Sequence, residues 1–458
     1  MVTKRLALPF IFLFVCLPLA VSAQNYTFTE HVSPIIYKNC SGCHKPNGAA
    51  PFSLLTYRDV AKRASFIQHV VSERIMPPWK ADPSYRSFAN EKQLTDDEIR
   101  VISSWVGDGA PYGPASELQQ PPSNTISGAS LFGYPDLILQ MDEPVKIDGD
   151  NKETYICYAL PYEIEEQTYV KAIEFIPGNR QLAHHASYQV LEVSEGVDLD
   201  NMPAYFEFGD TDYIDDQHDY GYFNLFDKDG NPPMQTYHDG WLPGSGPRIY
   251  PEGIGFLLPK KGVFLIRNMH YAPSPINTSD QTTIHIYFSD EPVERTVMFT
   301  TFRPTDIDLN TGNIIPADTA IQYDINIRVG QDLSLFSVNP HMHRLGKNFK
   351  AWATTPEGKT IPLVHIPQWD FNWQEFYQYK KLLHIPKGSV IHAEALFDNT
   401  VDNPENPNFP PEPVFFERGM DDKDEMMRLT FLFLPYQPGD ENLDMEDQWR
   451  SQMLSNEQ

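Results

Sequence analysis

Two hydrophobic patterns divide the chain. From about residue 133 to 440, short segments alternate or run apolar between turn residues, as in "YVKAIEFIP", "YQVLEV", "GVFLIRNMHY", "TTIHIYFS", "LSLFSVNPHMH", "FKAWATT" and "SVIHAEALF". Such alternation predicts β-strands, and regularly spaced short strands with Pro/Gly turns favour antiparallel sandwiches. Upstream, apolar residues recur at helical spacing. We therefore expect a mainly β protein that begins with a small all-α region.

The helical region is expected over residues 24–112. "FTEHVSPIIYKN" and "YRDVAKRASFIQHVVSER" have helical spacing, and "TDDEIRVISSW" begins with Thr95 and Glu98 as a capping box. Residues 113–132 are rich in Pro, Gly, Ser and Gln and lack periodicity, which is typical of a linker.

The β region is too long for a single sandwich. The whole chain has 458 residues, and length alone favours several domains. We expect two antiparallel β-sandwich domains, over residues 133–290 and 291–440, divided near "SDEPVERT". Residues 441–458 are expected to form an acidic tail.

The first residues predict export. A basic start at Lys4 and Arg5 precedes an apolar core and a small-residue end at Ala23, which together predict a signal peptide over residues 1–23. A membrane anchor is the alternative, but two prolines interrupt the short apolar core. We therefore expect a periplasmic protein, with no membrane span in the mature chain.

Net charge argues against a nucleic-acid-binding protein, and cysteine content argues against a disulfide-stabilised one. The formal net charge is −27, which argues against nucleic acid as a partner because phosphate binding needs a basic face. Without the leader, the chain keeps Cys40, Cys43 and Cys157. An exported protein of this size with three cysteines is not expected to be stabilised by disulfides.

A C-x-x-C-H motif predicts covalent haem. In "CSGCH", the thiols of Cys40 and Cys43 would form thioethers with the haem vinyl groups, and His44 would ligate the iron. The alternatives are a disulfide or a zinc half-site, although no second C-x-x-C completes a zinc site. The sixth ligand is expected to be Met76, with His69 or an open position as alternatives. The region resembles class I cytochromes c through this motif, Met76 and its last helix.

Three groups stand out among the 14 histidines. They are His184-His185 in "LAHHASYQ", His270 in "NMHYAP", and His341 with His343 in "HMHRLGK". Side chains alternate along a strand, so His341 and His343 face the same way and make half of a metal site. The adjacent His184 and His185 can share a metal only at a strand end, a bulge or a turn. Ordinary sheet or surface positions are the alternative for both groups.

The order of the motifs resembles a known family. "HHASY", "MHY", "HMHRLGK" and "DEMMRLTFLFLPY" follow one another as in the copper type II, ascorbate-dependent monooxygenases, which include peptidylglycine hydroxylating monooxygenase and dopamine β-monooxygenase. The resemblance covers residues 133–440. It implies two jelly-roll-like β-sandwich domains that hold one copper ion each.

The resemblance also implies two ligand sets. The first, suited to an electron-transfer copper, comprises His184, His185 and His270. The second, at which dioxygen would react, comprises His341, His343 and Met426. Soft sulfur favours Cu(I). The alternative is that Met426 is a core residue and that Met427 or another group is the ligand.

The implied reaction is the hydroxylation of a small molecule: R–H, O₂, two electrons and two protons give R–OH and water. Animal relatives take the electrons from ascorbate. Ascorbate or another reductant is therefore one possible cofactor. A covalent haem in the same chain suggests another route, in which a periplasmic electron donor, either a reductant or a quinol-linked carrier, reduces the haem, which then reduces copper. The alternatives are a non-enzymatic haem and copper electron-transfer or copper-handling protein, and a β-sandwich binding module that keeps only the fold.

Several positions depart from the family. In its peptide-amidating branch, an Arg two residues before the His-x-His grips the substrate carboxylate, and Asn339 stands there instead. Arg428 and Thr430 replace an Asn and a Tyr that follow the ligand methionine. Cys157 stands at a half-cystine position without a partner. A peptidylglycine substrate is therefore not expected.

Overall fold

The computed structural model describes residues 25–120, 132–208, 216–304, 314–416 and 424–445. The predicted signal peptide, part of the linker and most of the acidic tail lie outside the described residues. Strands account for 40% of the chain and helices for 14%, which confirms the prediction of a mainly β protein. Among the described residues, no helix is both long enough and apolar enough to cross a bilayer.

The helical region has a core of its own. A π-helical turn (Phe28–Val32) runs into α1 (Ser33–Asn39), and α2 (Tyr57–Ala61), α3 (Ala64–Ser72) and α4 (Asp96–Gly107) follow. Thr95 and Glu98 each accept a hydrogen bond from the other's backbone N–H, so the predicted capping box starts α4. The apolar faces of these helices meet in one cluster that includes Phe28, Ile36, Ile102 and Trp105. A 3₁₀ turn (Ala115–Glu117) follows.

The first β region is built from two packed sheets. Its strands are β1 (Leu137–Gln140), β2 (Val145–Ile147), β3 (Thr154–Glu163), β4 (Thr168–Ile176), β5 (Ala183–Glu192), β6 (Tyr205–Glu207), β7 (Met234–Trp241), β8 (Arg248–Ile249), β9 (Ile254–Leu258), β10 (Lys261–Tyr271), β11 (Thr278–Asp280), β12 (Thr283–Phe288) and β13 (Arg295–Thr296), with α5 (Asp216–Tyr222) after β6. One sheet has the order β1-β12-β4-β9-β13, with β8 on β4, and the other has β6-β3-β10-β5-β7. Apolar residues of both sheets form one core. β2 pairs with β11 separately.

The second β region repeats this plan. Its strands are β14 (Met298–Phe302), β15 (Ile314–Ile315), β16 (Thr319–Arg328), β17 (Leu333–Met342), β18 (Gly346–Thr354), β19 (Thr360–Ile366), β20 (Tyr377–Ile385), β21 (Val390–Asn399), β22 (Val414–Phe416), β23 (Asp424–Glu425) and β24 (Met427–Pro435), followed by a 3₁₀ turn (Asp440–Asn442). The sheets β14-β24-β17-β20 and β16-β21-β18-β19 share a second core, and β15-β22-β23 form a small third sheet.

The two β regions meet closely. The chain passes between them at Val297, since β13 pairs with β9 of the first region and β14 pairs with β24 of the second. Val297, Phe336 and Leu432 join the core of the first region. Apolar contact therefore continues from one region into the other.

The segment after α3 ties the helical region to the second β region. Trp79 and Phe88 are buried in the second core, and Phe88 forms a β-bridge with Tyr379. The backbone N–H of Asp82 donates to the His365 carbonyl at 2.8 Å. This anchorage holds the C-x-x-C-H motif beside the β regions.

Candidate metal sites

A β-bulge brings the first group of histidines together. His185 on β5 pairs with His270 on β10, and Ala183 pairs with Tyr271, so His184 is the extra residue of a bulge. The ring centroids of His184 and His270 lie 5.2 Å apart, and those of His185 and His270 lie 4.9 Å apart. The bulge meets the condition under which the adjacent His184 and His185 could share a metal.

The second pair of histidines stands at the end of β17. His341 lies on the strand and His343 directly follows its last residue, with ring centroids 5.3 Å apart. The side-chain oxygen of Gln374 accepts from Nδ1 of His341, and the Asp424 carbonyl accepts from Nδ1 of His343 at 2.8 Å. Because these oxygens can only accept, each ring carries its hydrogen on Nδ1 and keeps the Nε2 lone pair for another partner.

The spacing of the rings fits imidazoles that share a metal ion. With metal–nitrogen bonds of about 2.0 Å at a near-tetrahedral angle, two ring centroids lie about 5 Å apart. Among the described residues, both ring nitrogens of His185 and His270, and Nε2 of His341, are buried without a hydrogen-bond partner. Such orphaned nitrogens suit metal ligation. However, within the described part of the chain, no three His, Cys, Asp or Glu side chains converge on one point, so the histidines meet in pairs rather than in a closed set.

Burial keeps these imidazoles neutral. It lowers the pKa of His341 to about 3 and that of His343 to about 4. The pKa of His185 falls well below its usual range because of burial first, and then because of His270 and His184, with His341 and His343 adding to the effect. The two histidine groups are therefore close enough for charge on the second group to affect the pKa of His185 in the first. Neutral imidazoles can bind a metal ion near pH 7 without first losing a proton.

One aromatic ring lies between the two groups. The Phe371 centroid is 6.1 Å from that of His185, 6.3 Å from His270 and 5.9 Å from His343. The guanidinium carbon of Arg344 lies 5.2 Å from the same ring. Phe371 belongs to the loop between β19 and β20, where no hydrophobic periodicity marks it, so sequence reasoning missed it.

The carboxylate of Glu153 lies near His270 of the first group and accepts a hydrogen bond from Arg344, the residue after His343. Glu153 Oε1 lies 3.7 Å from Nε2 of His270, while Oε2 accepts hydrogen bonds from Tyr155 at 2.9 Å and from Arg344. The Tyr155 ring stacks on His270 with centroids 4.3 Å apart. His270 and then Arg344 lower the pKa of Glu153 to about 2. The first β region thus contributes an anion that pairs with the residue directly after His343.

Glu425 holds the turn after His343 against the "DEM" motif. Its buried carboxylate accepts from the backbone N–H groups of His343, Leu345 and Met426, the last two at 2.9 Å. Met427 belongs to the second core, whereas Met426 is buried but stands apart from the described core clusters. Met426 lies between β23 and β24, and Met427 is the first residue of β24. Met426 as the sulfur ligand stays a prediction, and the core position of Met427 argues against the alternative.

The C-x-x-C-H motif follows α1, and its histidine uses one ring nitrogen in a hydrogen bond. Cys40 and Cys43 are free thiols, and the backbone N–H of His44 donates to the Cys40 carbonyl at 2.9 Å. The His44 Nδ1 lies 3.1 Å from the Phe52 carbonyl, which leaves Nε2 available to iron. Met76 lies in the turn after α3 and is 40% exposed. Its role as sixth ligand stays a prediction.

Asn339, Arg428 and Thr430 lie around the second pair of histidines. Arg428 on β24 is the register partner of His341, and burial lowers its pKa to about 9. The Asn339 amide donates to the Glu375 carbonyl at 3.0 Å. Thr430 pairs through its hydroxyl with Thr301 on β14 at 2.9 Å. These contacts commit Asn339 and Thr430 to the fold, and Arg428 is a cation next to His341.

Comparisons with known proteins add little. No family model matches the chain, and no curated protein matches it. Among solved structures, it is similar to the major capsid protein P2 from bacteriophage PM2, with 7% identity and a TM-score of 0.24 over 66% of this chain and 99% of that chain. It is also similar to the PBSX exported protein XepA, with 8% identity and a TM-score of 0.16 over 62% and 92% of the two chains. These scores are too low to carry an argument.

Proposed function

We propose that this protein is an exported haem- and copper-containing monooxygenase that uses O₂ to hydroxylate a C–H bond of a small molecule. In this proposal the two β regions are jelly-roll-like sandwiches of the copper type II, ascorbate-dependent monooxygenase kind, and the helical region is a class I cytochrome c. One observation carries the proposal. His185, His270 and His343 lie around the Phe371 ring, and His184, His185, His270 and His341 have buried ring nitrogens that lack hydrogen-bond partners among the described residues.

The residues fall into two proposed copper sites. One site would be held by His184, His185 and His270, and the other by His341, His343 and Met426. Copper would supply one-electron redox chemistry at both sites and the reaction with dioxygen at the sulfur-containing one.

The surrounding side chains would set the donor atoms. Gln374 and the Asp424 carbonyl hold the Nδ1 hydrogens of the His-x-His pair and so direct Nε2 towards the metal. Glu153 Oε1, 3.7 Å from Nε2 of His270, would favour a hydrogen on that nitrogen, which would leave Nδ1 for the metal. Arg428 would place a positive charge beside the substrate.

The helical region would bring electrons to these sites. Each thiol of Cys40 and Cys43 would add across a haem vinyl group, with its hydrogen passing to the vinyl carbon, so no oxidant is needed. His44 would bind the iron through Nε2, and Met76 would complete the coordination. A periplasmic donor would then supply the two electrons that hydroxylation needs.

Metal analysis combined with oxygen consumption tests the proposal. We expect one haem and two copper ions per chain, and oxygen uptake by the reduced protein that rises when the substrate is added. His341→Ala and His270→Ala should each lose one copper and the uptake. His285→Ala, on a first-region strand away from the bulge, is the matched control and should keep both. Retention of both copper ions by His341→Ala would refute the proposed site.

A purely electron-transferring protein is the second candidate, and the position of Phe371 favours it. A ring that lies between the histidine groups would hinder a substrate while permitting electron exchange. The two functions differ in one measurement. An electron carrier would exchange electrons between haem and copper but would show no substrate-dependent oxygen uptake in a metabolite screen.

A further inference from the structure

The sulfur of the second motif cysteine lies against a turn of the first β region. Gly244, in the turn between β7 and β8, has φ of +80°, and a Cβ built there would lie 2.6 Å from Cys43 Sγ. Apart from its chain neighbours, that sulfur is the one described heavy atom such a Cβ would meet within 4 Å. Gly244 is therefore required for the close approach of the two regions as well as for the backbone conformation.

Next to this contact, the helical region reaches the loop before β20, which carries the hydrogen-bond partner of His341. Lys92 lies close enough to Cys43 to lower the pKa of its thiol, against the larger effect of burial. Its Nζ is 3.3 Å from Glu375 Oε2, and the Asn90 amide donates to Glu375 Oε1 at 3.2 Å. Glu375 directly follows Gln374, the partner of the His341 ring. Two residues of the helical region thus connect the attachment motif to the second histidine pair.

A cavity lies at the same junction. It has a volume of about 260 Å³ and is lined by residues of all three regions, including Lys92, Trp241, Gly244, Arg248 and Glu375. Aromatic and cationic side chains therefore surround the space beside the attachment motif. The contact at Gly244 forms one wall of this cavity.

We propose that the turn around Gly244 is the surface that receives the attachment edge of the haem, so that the Cys43 thioether is held between the helical region and the β regions. This inference rests on the haem attachment of the proposed function. Its consequence is that the haem is part of an interdomain junction rather than of a separate cytochrome module. The electron then has a short protein path, through Lys92 and Glu375, towards the Gln374–His341 pair.

Two glycine substitutions in the holoprotein test the contact. Gly244→Ala should reduce haem content or shift the haem midpoint potential, because the new methyl must displace the attachment edge. Gly253→Ala is the matched control: its φ is +75°, and nothing described lies within 4 Å of its Cβ position. It carries the same backbone strain without the contact. Equal haem content and equal potential in the two variants would overturn the proposal.

A charge substitution tests the same contact if the Gly244→Ala protein cannot be produced in folded form. Lys92→Gln removes a positive charge beside the haem edge, which favours the oxidised haem and should lower the midpoint potential. Lys62→Gln is the control, since Lys62 is half exposed and pairs within the helical region with Asp59 at 3.5 Å. No difference in potential between these two variants would overturn the contact. A wild-type protein without haem would instead refute the haem attachment itself, and copper binding is measured independently of both.

Discussion

The two adjacent methionines of the "DEM" motif offer the sharpest test of the proposed copper chemistry. Met427 is fully buried in the second core, whereas Met426 is buried beside the Glu425 network that also binds His343. Replacing each by leucine keeps the side chain apolar and nearly isosteric. The two substitutions should therefore cost similar stability and differ only in metal binding.

The expected magnitudes separate the two roles. A Met→Leu exchange in a packed site costs less than about 1.5 kcal/mol, so both variants should fold. Changes to groups that merely support a metal ligand cost about 10- to 100-fold in affinity, and loss of the ligand itself should cost at least as much. We therefore expect Met426→Leu to weaken Cu(I) binding at one site by about 100-fold, or about 2.7 kcal/mol. Met427→Leu should leave Cu(I) affinity unchanged.

The assay is competition for Cu(I) against a chromophoric chelator, with X-ray absorption to detect a copper–sulfur bond. His270→Ala provides the background, because it should leave only the sulfur-containing site loaded. Met426→Leu should then lose the sulfur signal, and Met427→Leu should retain it. The reasoning fails if the sulfur signal disappears from Met427→Leu, or if Met426→Leu binds Cu(I) as tightly as the parent protein.

Three further outcomes follow from the same geometry. Burial lowers the pKa of His341 to about 3 and that of His343 to about 4. Below the usual pKa of 6.5, these histidines bind protons in the unfolded chain but not in the native protein, so the free energy of unfolding should fall by about 2 kcal/mol per histidine between pH 7 and pH 5. Urea unfolding of the copper-free protein measures this loss, and a His341→Gln/His343→Gln double variant should lose much less. Glu425→Ala leaves three buried N–H donors without an acceptor and should lower the free energy of unfolding by about 3 kcal/mol or more. Chemical denaturation measures this change, and a loss below about 1 kcal/mol would contradict the role of the Glu425 carboxylate. Phe371→Ala should speed copper removal by a chelator several-fold relative to Phe371→Leu, and equal rates would show that the ring does not restrict access.

Sequence periodicity predicted the local structure well. The alternating segments became β4, β5, β10, β12, β17, β18 and β21, because burial of one sheet face imposes a period of two on the side chains. The capping box of α4 was predictable because its two side chains bond only to backbone groups within the same turn. The jelly-roll topology rests on long-range pairing, and so it remains a proposal here.

Candidate ligands could be chosen from the sequence because few residue types bind copper or haem. The bulge at His184 and His185 was a stated condition, and the register of β5 with β10 meets it. By contrast, Phe371, Gln374 and Glu153 carry no local signal. Each meets its histidine from a distant segment, so only the packing of loops and sheets reveals the contact.

By itself, the sequence determined which residues could hold a metal or a haem, since ligand chemistry is a property of the side chain and its nearest neighbours along the chain. Only the tertiary structure decided which of them meet, which ring nitrogen each presents, and that Phe371 stands between the two groups. It also placed the Cys43 sulfur against Gly244, about 200 residues away along the chain. The physical reason is that burial, hydrogen bonding and electrostatic coupling depend on distance in space, which the linear order of residues does not record.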